Sequence, residues 1–115
     1  MAVAMFMRLT GISAREYDLA IASLELDASP AAGHIVHVVG ETSDGLVVCD
    51  VFQTRETAES FVQRAFGPRL AALQPRAGLD WEILPLRNLY APDVDTIERI
   101  GAVSLPAYAA GTAPR

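Results

Sequence analysis

The residues with the clearest capacity for chemistry are His37 and Asp50, joined by Arg8. Histidine is the side chain that changes charge near neutral pH, and a carboxylate within hydrogen-bond reach fixes its tautomer and raises its basicity. Asp50 can supply that carboxylate. Arg8 can pair with Asp50, or hold the negative charge that develops on a substrate enolate or phenolate oxygen. The chemistry expected is proton transfer, with His37 as general acid/base, Asp50 orienting it and Arg8 stabilising charge. A plainer use of the same residues is a buried, satisfied polar cluster that sets the register of a dimer without catalysis.

These residues belong to a stretch, 33–61, reading GHIVHVVGETSDGLVVCDVFQTRETAESF. Two β-branched runs, His34–Val39 and Leu46–Phe52, are bounded by Gly40 and by Asp44-Gly45, the pattern of an antiparallel hairpin. Alternate side chains of a strand point to opposite faces. One set, Val36, Val38, Val47, Cys49 and Val51, is wholly apolar and is expected to form the core face. The other, Ile35, His37, Val39, Val48, Asp50 and Phe52, carries the histidine and the carboxylate. If the turn sets His37 near Val48, His37 and Asp50 lie diagonally on one face. His34 falls on the opposite parity at the strand's start, so a His34–His37 metal site is not expected, and no other metal signature is present.

The flanking chain supplies the remaining elements. Ala2–Leu9 reads as a strand whose even positions, Ala4, Phe6 and Arg8, join the mixed face. Ser13-Ala14-Arg15-Glu16 is a capping box, with Ile12 and Tyr17 placed as a hydrophobic staple, so a helix starts at Ala14. Thr54 can cap a second helix with Ala58, Phe61, Val62, Ala65 and Phe66 as its apolar stripe, and Pro68 should kink or break it near Gly67. Asp80–Tyr90 reads as a fourth strand, and Pro85 places it at an edge of the sheet. The order βαββαβ predicts an α+β, ferredoxin-like fold: a four-stranded antiparallel sheet with both helices on one face, over residues 1–90. The other face is expected to carry Phe6, Ile35, Val39, Val48 and Phe52, which a second copy must cover. Residues 91–115 form an extension, with a short helix expected over Asp93–Ile100 and then a small-residue tail.

Bulk properties narrow the class. The 115 residues are 51% hydrophobic and 20% charged, which suits one folded domain. Net charge is −5, every cation is Arg, and no basic cluster exists, so nucleic acid lacks an electrostatic basis for binding. The apolar start is cut off by Arg8 and reads as a strand rather than a signal peptide or membrane span. Cys49 is the single cysteine, which rules out an internal disulfide and fits a reducing, cytoplasmic setting.

With these elements placed, the sequence resembles the dimeric α/β barrel superfamily that contains the antibiotic-biosynthesis monooxygenases. More closely it is similar to a group of small bacterial proteins of that superfamily. The matching residues are Gly33 with His37, Asp44-Gly45, Val47-Val48-Cys49-Asp50-Val51-Phe52, Thr54-Arg55-Glu56-Thr57-Ala58 and Pro85-Leu86-Arg87-Asn88. The resemblance implies a homodimer in which two four-stranded sheets pack face to face, and a pocket inside the barrel or between sheet and helices. It implies no single reaction. The polyketide-oxidising monooxygenases commonly carry Asn, Trp and Tyr where this chain has Val48, Phe52 and Ala58, and haem-degrading relatives place a histidine on a helix, where this chain has none.

Three functions fit. The first is a cofactor-free cyclase or isomerase acting on a small polyketide-like or aromatic metabolite by acid/base chemistry. The second is a cofactor-independent monooxygenase, and the third a non-enzymatic ligand-binding or scaffold dimer. For the enzymes, Phe6, Ile35, Val48, Phe52, Trp81 and Arg87 are the expected substrate contacts.

Overall fold

The computed structural model describes residues 1–26 and 28–93. Its elements are β1 (Val3–Thr10), α1 (Ala14–Ser23), β2 (His34–Thr42), β3 (Gly45–Phe52), α2 (Arg55–Ser60), a π-helical turn (Phe61–Phe66), α3 (Gly67–Leu73) and β4 (Gly78–Pro85). The strands pair antiparallel in the order β2-β3-β1-β4, and the helices lie on one face, so the chain is an α+β protein with the ferredoxin-like arrangement. Residues 94–115, and with them the helix expected there, lie outside the described residues.

Local sequence accounts for the helix starts. Ser13 accepts from the backbone N–H of Glu16 while the Glu16 side chain accepts from that of Ser13, a reciprocal cap. Ile12 and Tyr17 flank the cap and are both buried, as a hydrophobic staple requires. Thr54 caps α2 in the same manner through Thr57. Pro68 does not break the second helix. Instead the chain widens by one residue before it: the Gly67 N–H donates to the Val62 carbonyl, five residues back, and the helix continues through α3. A side chain at Gly67 would sit 2.5 Å from that carbonyl oxygen, so the widened turn requires glycine there.

The faces of the sheet are the reverse of the sequence-based expectation. Met5 pairs with Asp50 and Met7 with Val48, so the odd residues of β1 share a face with the even residues of β3. That face meets the helices: Met5, Met7, Leu9, Leu46, Val48 and Phe52 pack with Tyr17, Phe61 and Phe66 in one core. Val48 and Phe52 are therefore core residues and do not line a dimer face. The helices do not cover the other face, where Val38, Phe6 and Leu84 are exposed, Val36, Val47 and Cys49 half-buried and Val51 buried. An all-apolar set reads as core in a single chain, but the polar set can face inward once its charges pair with one another. β4 is an edge strand, as Pro85 demands, and it ends at that proline rather than running to Tyr90.

Candidate active site

Asp50 is the one charged residue among the described residues whose whole side chain is buried. It projects from β3 toward the helices, and His37 stands directly opposite it on β2. His37 Nδ1 lies 2.5 Å from Asp50 Oδ1. On the far side of the ring, His37 Nε2 lies 2.7 Å from the Tyr17 hydroxyl. The result is a continuous chain from Tyr17 through both ring nitrogens of His37 to Asp50.

His34 completes the group. A bulge between His34 and Val36 adds one residue to β2, and the alternation of faces slips by one across it. His34 consequently shares the face of His37, and its Nε2 lies 2.7 Å from the same Asp50 oxygen. The expectation that the two imidazoles point apart is corrected by this bulge, which simple counting along the strand cannot register. Gly33 prepares the entry: its φ is +74°, in the left-handed region, and a β-carbon there would lie 2.8 Å from Thr57 Oγ1. The Gly33 carbonyl in turn accepts from the Gln53 N–H at 2.8 Å, which fastens the start of β2 to the end of β3.

Aromatic rings enclose the cluster. Phe52 stacks on His34 with centroids 4.6 Å apart, Phe61 lies 5.8 Å from His34, Phe66 lies 6.1 Å from Phe61, and Tyr17 closes the circuit 6.0 Å from Phe66 and 6.3 Å from His37. The π-helical turn supplies both Phe61 and Phe66, so the widening forced near Pro68 helps to position the wall of the site.

Charge follows from this geometry. Burial alone would push the Asp50 carboxyl up, but hydrogen bonds and charge from His34 and His37 outweigh it and hold the group below the usual carboxylate range. An ionised Asp50 accepts a hydrogen bond from the Nδ1–H of His37 and leaves the Nε2 lone pair facing Tyr17. Burial, reinforced by the Asp50 charge, pushes the Tyr17 hydroxyl well above the ordinary tyrosine range, so Tyr17 donates its proton in a hydrogen bond and does not ionise. Among the described residues, Asp50 Oδ2 is buried and meets no hydrogen-bond partner.

The other expected site residues are dispersed. Arg8 pairs with Val47 on β3 and so points away from Asp50, across the sheet; it is not part of this cluster. Phe6 shares that uncovered face. Ile35 is the extra residue of the bulge and is half exposed. Trp81 faces the helix side on β4, at the opposite edge from β2, three strand spacings or roughly 14 Å away. Arg87 is exposed beyond the end of β4. Of the expected contacts, Val48, Phe52 and Trp81 share the face of His37, and of these only Val48 and Phe52 lie on the neighbouring strand. Cys49 lies on the uncovered face, and burial pushes its thiol up. Sequence reasoning missed Tyr17 as a site residue, because its staple position accounts for it fully; the available signal was a hydroxyl on the buried stripe of a helix that packs on the histidine face.

A separate cleft of about 610 Å³ runs along the outside of α2 and the π-helical turn, lined by residues that include Ala31, Thr57, Ser60, Phe61 and Arg64. It touches the cluster only through Phe61. The side chains of His37 and His34 are 22% and 14% exposed at the β2 edge, whereas that of Asp50 is fully buried.

No family model matches this sequence, and no curated protein matches it. Solved structures do. The chain is similar to SnoaB, a cofactor-independent oxygenase from Streptomyces nogalater, with a TM-score of 0.58 and 16% identity over 80% of this chain and 98% of that one. It is similar to Rv0793 from Mycobacterium tuberculosis, with a TM-score of 0.56 and 15% identity over 79% of this chain and 100% of that one. It is likewise similar to a candidate antibiotic biosynthesis monooxygenase from Deinococcus radiodurans, with a TM-score of 0.56 and 10% identity over 81% and 99%. The chain has the fold of these proteins.

Proposed function

We propose that this protein is an enzyme acting on a small polyketide-like or aromatic metabolite by acid/base chemistry, as a cyclase or isomerase, without an organic cofactor. The observation that supports this reading is the buried chain from Tyr17 through His37 to Asp50, held by contacts of 2.7 and 2.5 Å. In this mechanism an acidic C–H or O–H of the substrate takes the place beside His37 Nε2 that the Tyr17 hydroxyl otherwise holds. Nε2 accepts the proton, Asp50 stabilises the resulting imidazolium, and the displaced Tyr17 O–H donates to the developing enolate oxygen. Tyr17 thereby takes the charge-stabilising role first expected of Arg8. The uncovered apolar face supports a homodimer as the working unit, since Phe6, Val38 and Leu84 are 42%, 57% and 41% exposed in one copy.

A second reading is a cofactor-independent monooxygenase, favoured by the likeness to SnoaB. The same base would then deprotonate an electron-rich phenol whose anion itself reduces oxygen. Incubation of chelator-treated protein with phenolic polyketide candidates, with and without air, separates the two. A product of unchanged mass or one lighter by water, formed equally without oxygen, supports the cyclase or isomerase. Oxygen uptake with a product that has gained one oxygen atom and lost two hydrogens, the second oxygen atom leaving as water, supports the monooxygenase. Turnover that His37→Ala leaves unaffected overturns both, and no turnover of any candidate by the wild type favours a ligand-binding dimer.

A further inference from the structure

We propose that His34 Nε2, His37 Nδ1 and a carboxylate oxygen of Asp50 form a binding site for one divalent first-row transition ion. The inference goes beyond the acid/base reading and does not rest on it. The three donor atoms lie within 4.8 Å of one another, on two adjacent strands, with two nitrogens and one oxygen in the set. Two imidazoles and one carboxylate are a set that zinc and ferrous iron both accept, and three protein ligands leave further positions open.

The surroundings fit an ion better than they fit hydrogen bonding alone. Both histidines direct a nitrogen at the same oxygen, Asp50 Oδ1, while Oδ2, equally buried, meets no partner among the described residues. An ion lying between the nitrogens and the carboxylate would engage this second oxygen or orient it. Each ligand ring is also fixed from behind: Phe52 stacks on His34, and Tyr17 meets the distal nitrogen of His37 at 2.7 Å. Metal-bound histidines characteristically use the other ring nitrogen in this way. The bulge contributes as well, since His34 reaches this face only because of the extra residue in β2.

Two adjustments accompany binding. Ligands at about 2.1 Å around a tetrahedral ion stand roughly 3.4 Å from each other, so each histidine nitrogen must move away from Asp50 Oδ1 by somewhat under 1 Å, within reach of side-chain rotation at the open edge of the sheet. His37 must also present the lone pair of Nδ1, which moves its proton to Nε2, where it donates to the Tyr17 oxygen. The loaded form and the free-base form of His37 thus exclude each other.

The test is titration of the chelator-treated wild-type chain with Zn²⁺ by calorimetry and with Co²⁺ by visible absorption. Expected are one equivalent of Zn²⁺ bound at micromolar or tighter Kd, Co²⁺ d–d bands in the visible, and a rise in Tm with Zn²⁺. His34→Ala and Asp50→Asn, each checked for folding by circular dichroism, should weaken binding by at least about tenfold to a hundredfold, the loss that even a supporting residue brings. Cys49→Ser should leave it unchanged. The absence of a stoichiometric Zn²⁺ site on the folded wild type overturns the proposal, as does binding that survives both ligand substitutions. Neither result bears on turnover by the metal-free protein, which tests the acid/base reading separately.

Discussion

His34 and His37 converge on a single oxygen atom, Oδ1 of Asp50, from two positions on the same strand separated by a bulge. One carboxylate therefore answers for two imidazoles, and the loss of either should be partly absorbed by the other. His34→Ala and His37→Ala are each expected to cost about 1.5–3 kcal/mol, the scale of a hydrogen bond to a charged group. The double variant leaves the buried Asp50 carboxyl with no hydrogen-bond partner among the described residues, and should lose more than the sum by roughly 0.5–3 kcal/mol. Urea unfolding of the four proteins measures this excess; strict additivity would mean that the two contacts do not share an acceptor in solution.

The pH dependence follows from the same pairing. The Asp50 carboxyl is held below its ordinary 3.8 in the folded chain, so the unfolded chain binds a proton first as acid is added. The stability that this contributes is complete above the unfolded carboxylate value and drains away as pH falls through the folded one. The difference in unfolding free energy between wild type and Asp50→Asn should shrink as pH falls below about 4. A difference that grows in acid would show the carboxyl to be raised, with burial winning over the histidines.

Much of the frame was legible from local chemistry. Ser13 and Thr54 announce their helices because a cap is a short-range event, and the β-branched runs around Asp44-Gly45 announce a hairpin for the same reason. The pairing of His37 with Asp50 was legible from parity. What parity could not give was which face turns inward, because that depends on the β1–β3 register, set by residues some forty positions apart. Hence Arg8 and Phe6, placed by alternation alone, were assigned to the wrong side. His34 was lost to a one-residue bulge, a tertiary accommodation to Phe52 and Gly33 that leaves no mark in the composition of the strand.

The corrected faces change which residue tests dimerisation. Phe52 is wholly buried in the core, so an aspartate there would unfold the chain whether or not it dimerises. Phe6 is exposed on the uncovered face, between Cys49 and Glu82 on the neighbouring strands. Phe6→Asp should therefore leave the secondary structure intact and convert a homodimer to a monomer, by placing an unpaired charge in the contact. Light scattering at micromolar concentration reads the outcome; a wild type that is itself monomeric would refute the dimer.

The π-helical turn makes the last prediction, because it links a backbone detail to the wall of the site. Pro68 has no N–H and its ring would crowd the carbonyl four residues back in a regular helix. Widening the turn relieves that conflict, with Gly67 donating to Val62 instead of Gln63. The same widening sets Phe61 and Phe66 so that their rings lie 6.1 Å apart and line the space around His34 and Tyr17. Gly67→Ala would force a β-carbon to within 2.5 Å of the Val62 oxygen, and a closed, regular helix is denied to it by Pro68. It should cost about 1–3 kcal/mol, as overpacking does, and shift Phe66 relative to Tyr17. Pro68→Ala removes the conflict at its source, so the double variant Gly67→Ala/Pro68→Ala can close into a regular helix and should regain part of the lost stability. Its Phe61 and Phe66 are then turned out of register with the aromatic circuit, and the measurement that decides is the pair of Tm and near-ultraviolet circular dichroism. Recovered Tm with an altered aromatic signal supports the linkage, whereas recovery with an unchanged signal would show that the turn has no part in placing the rings.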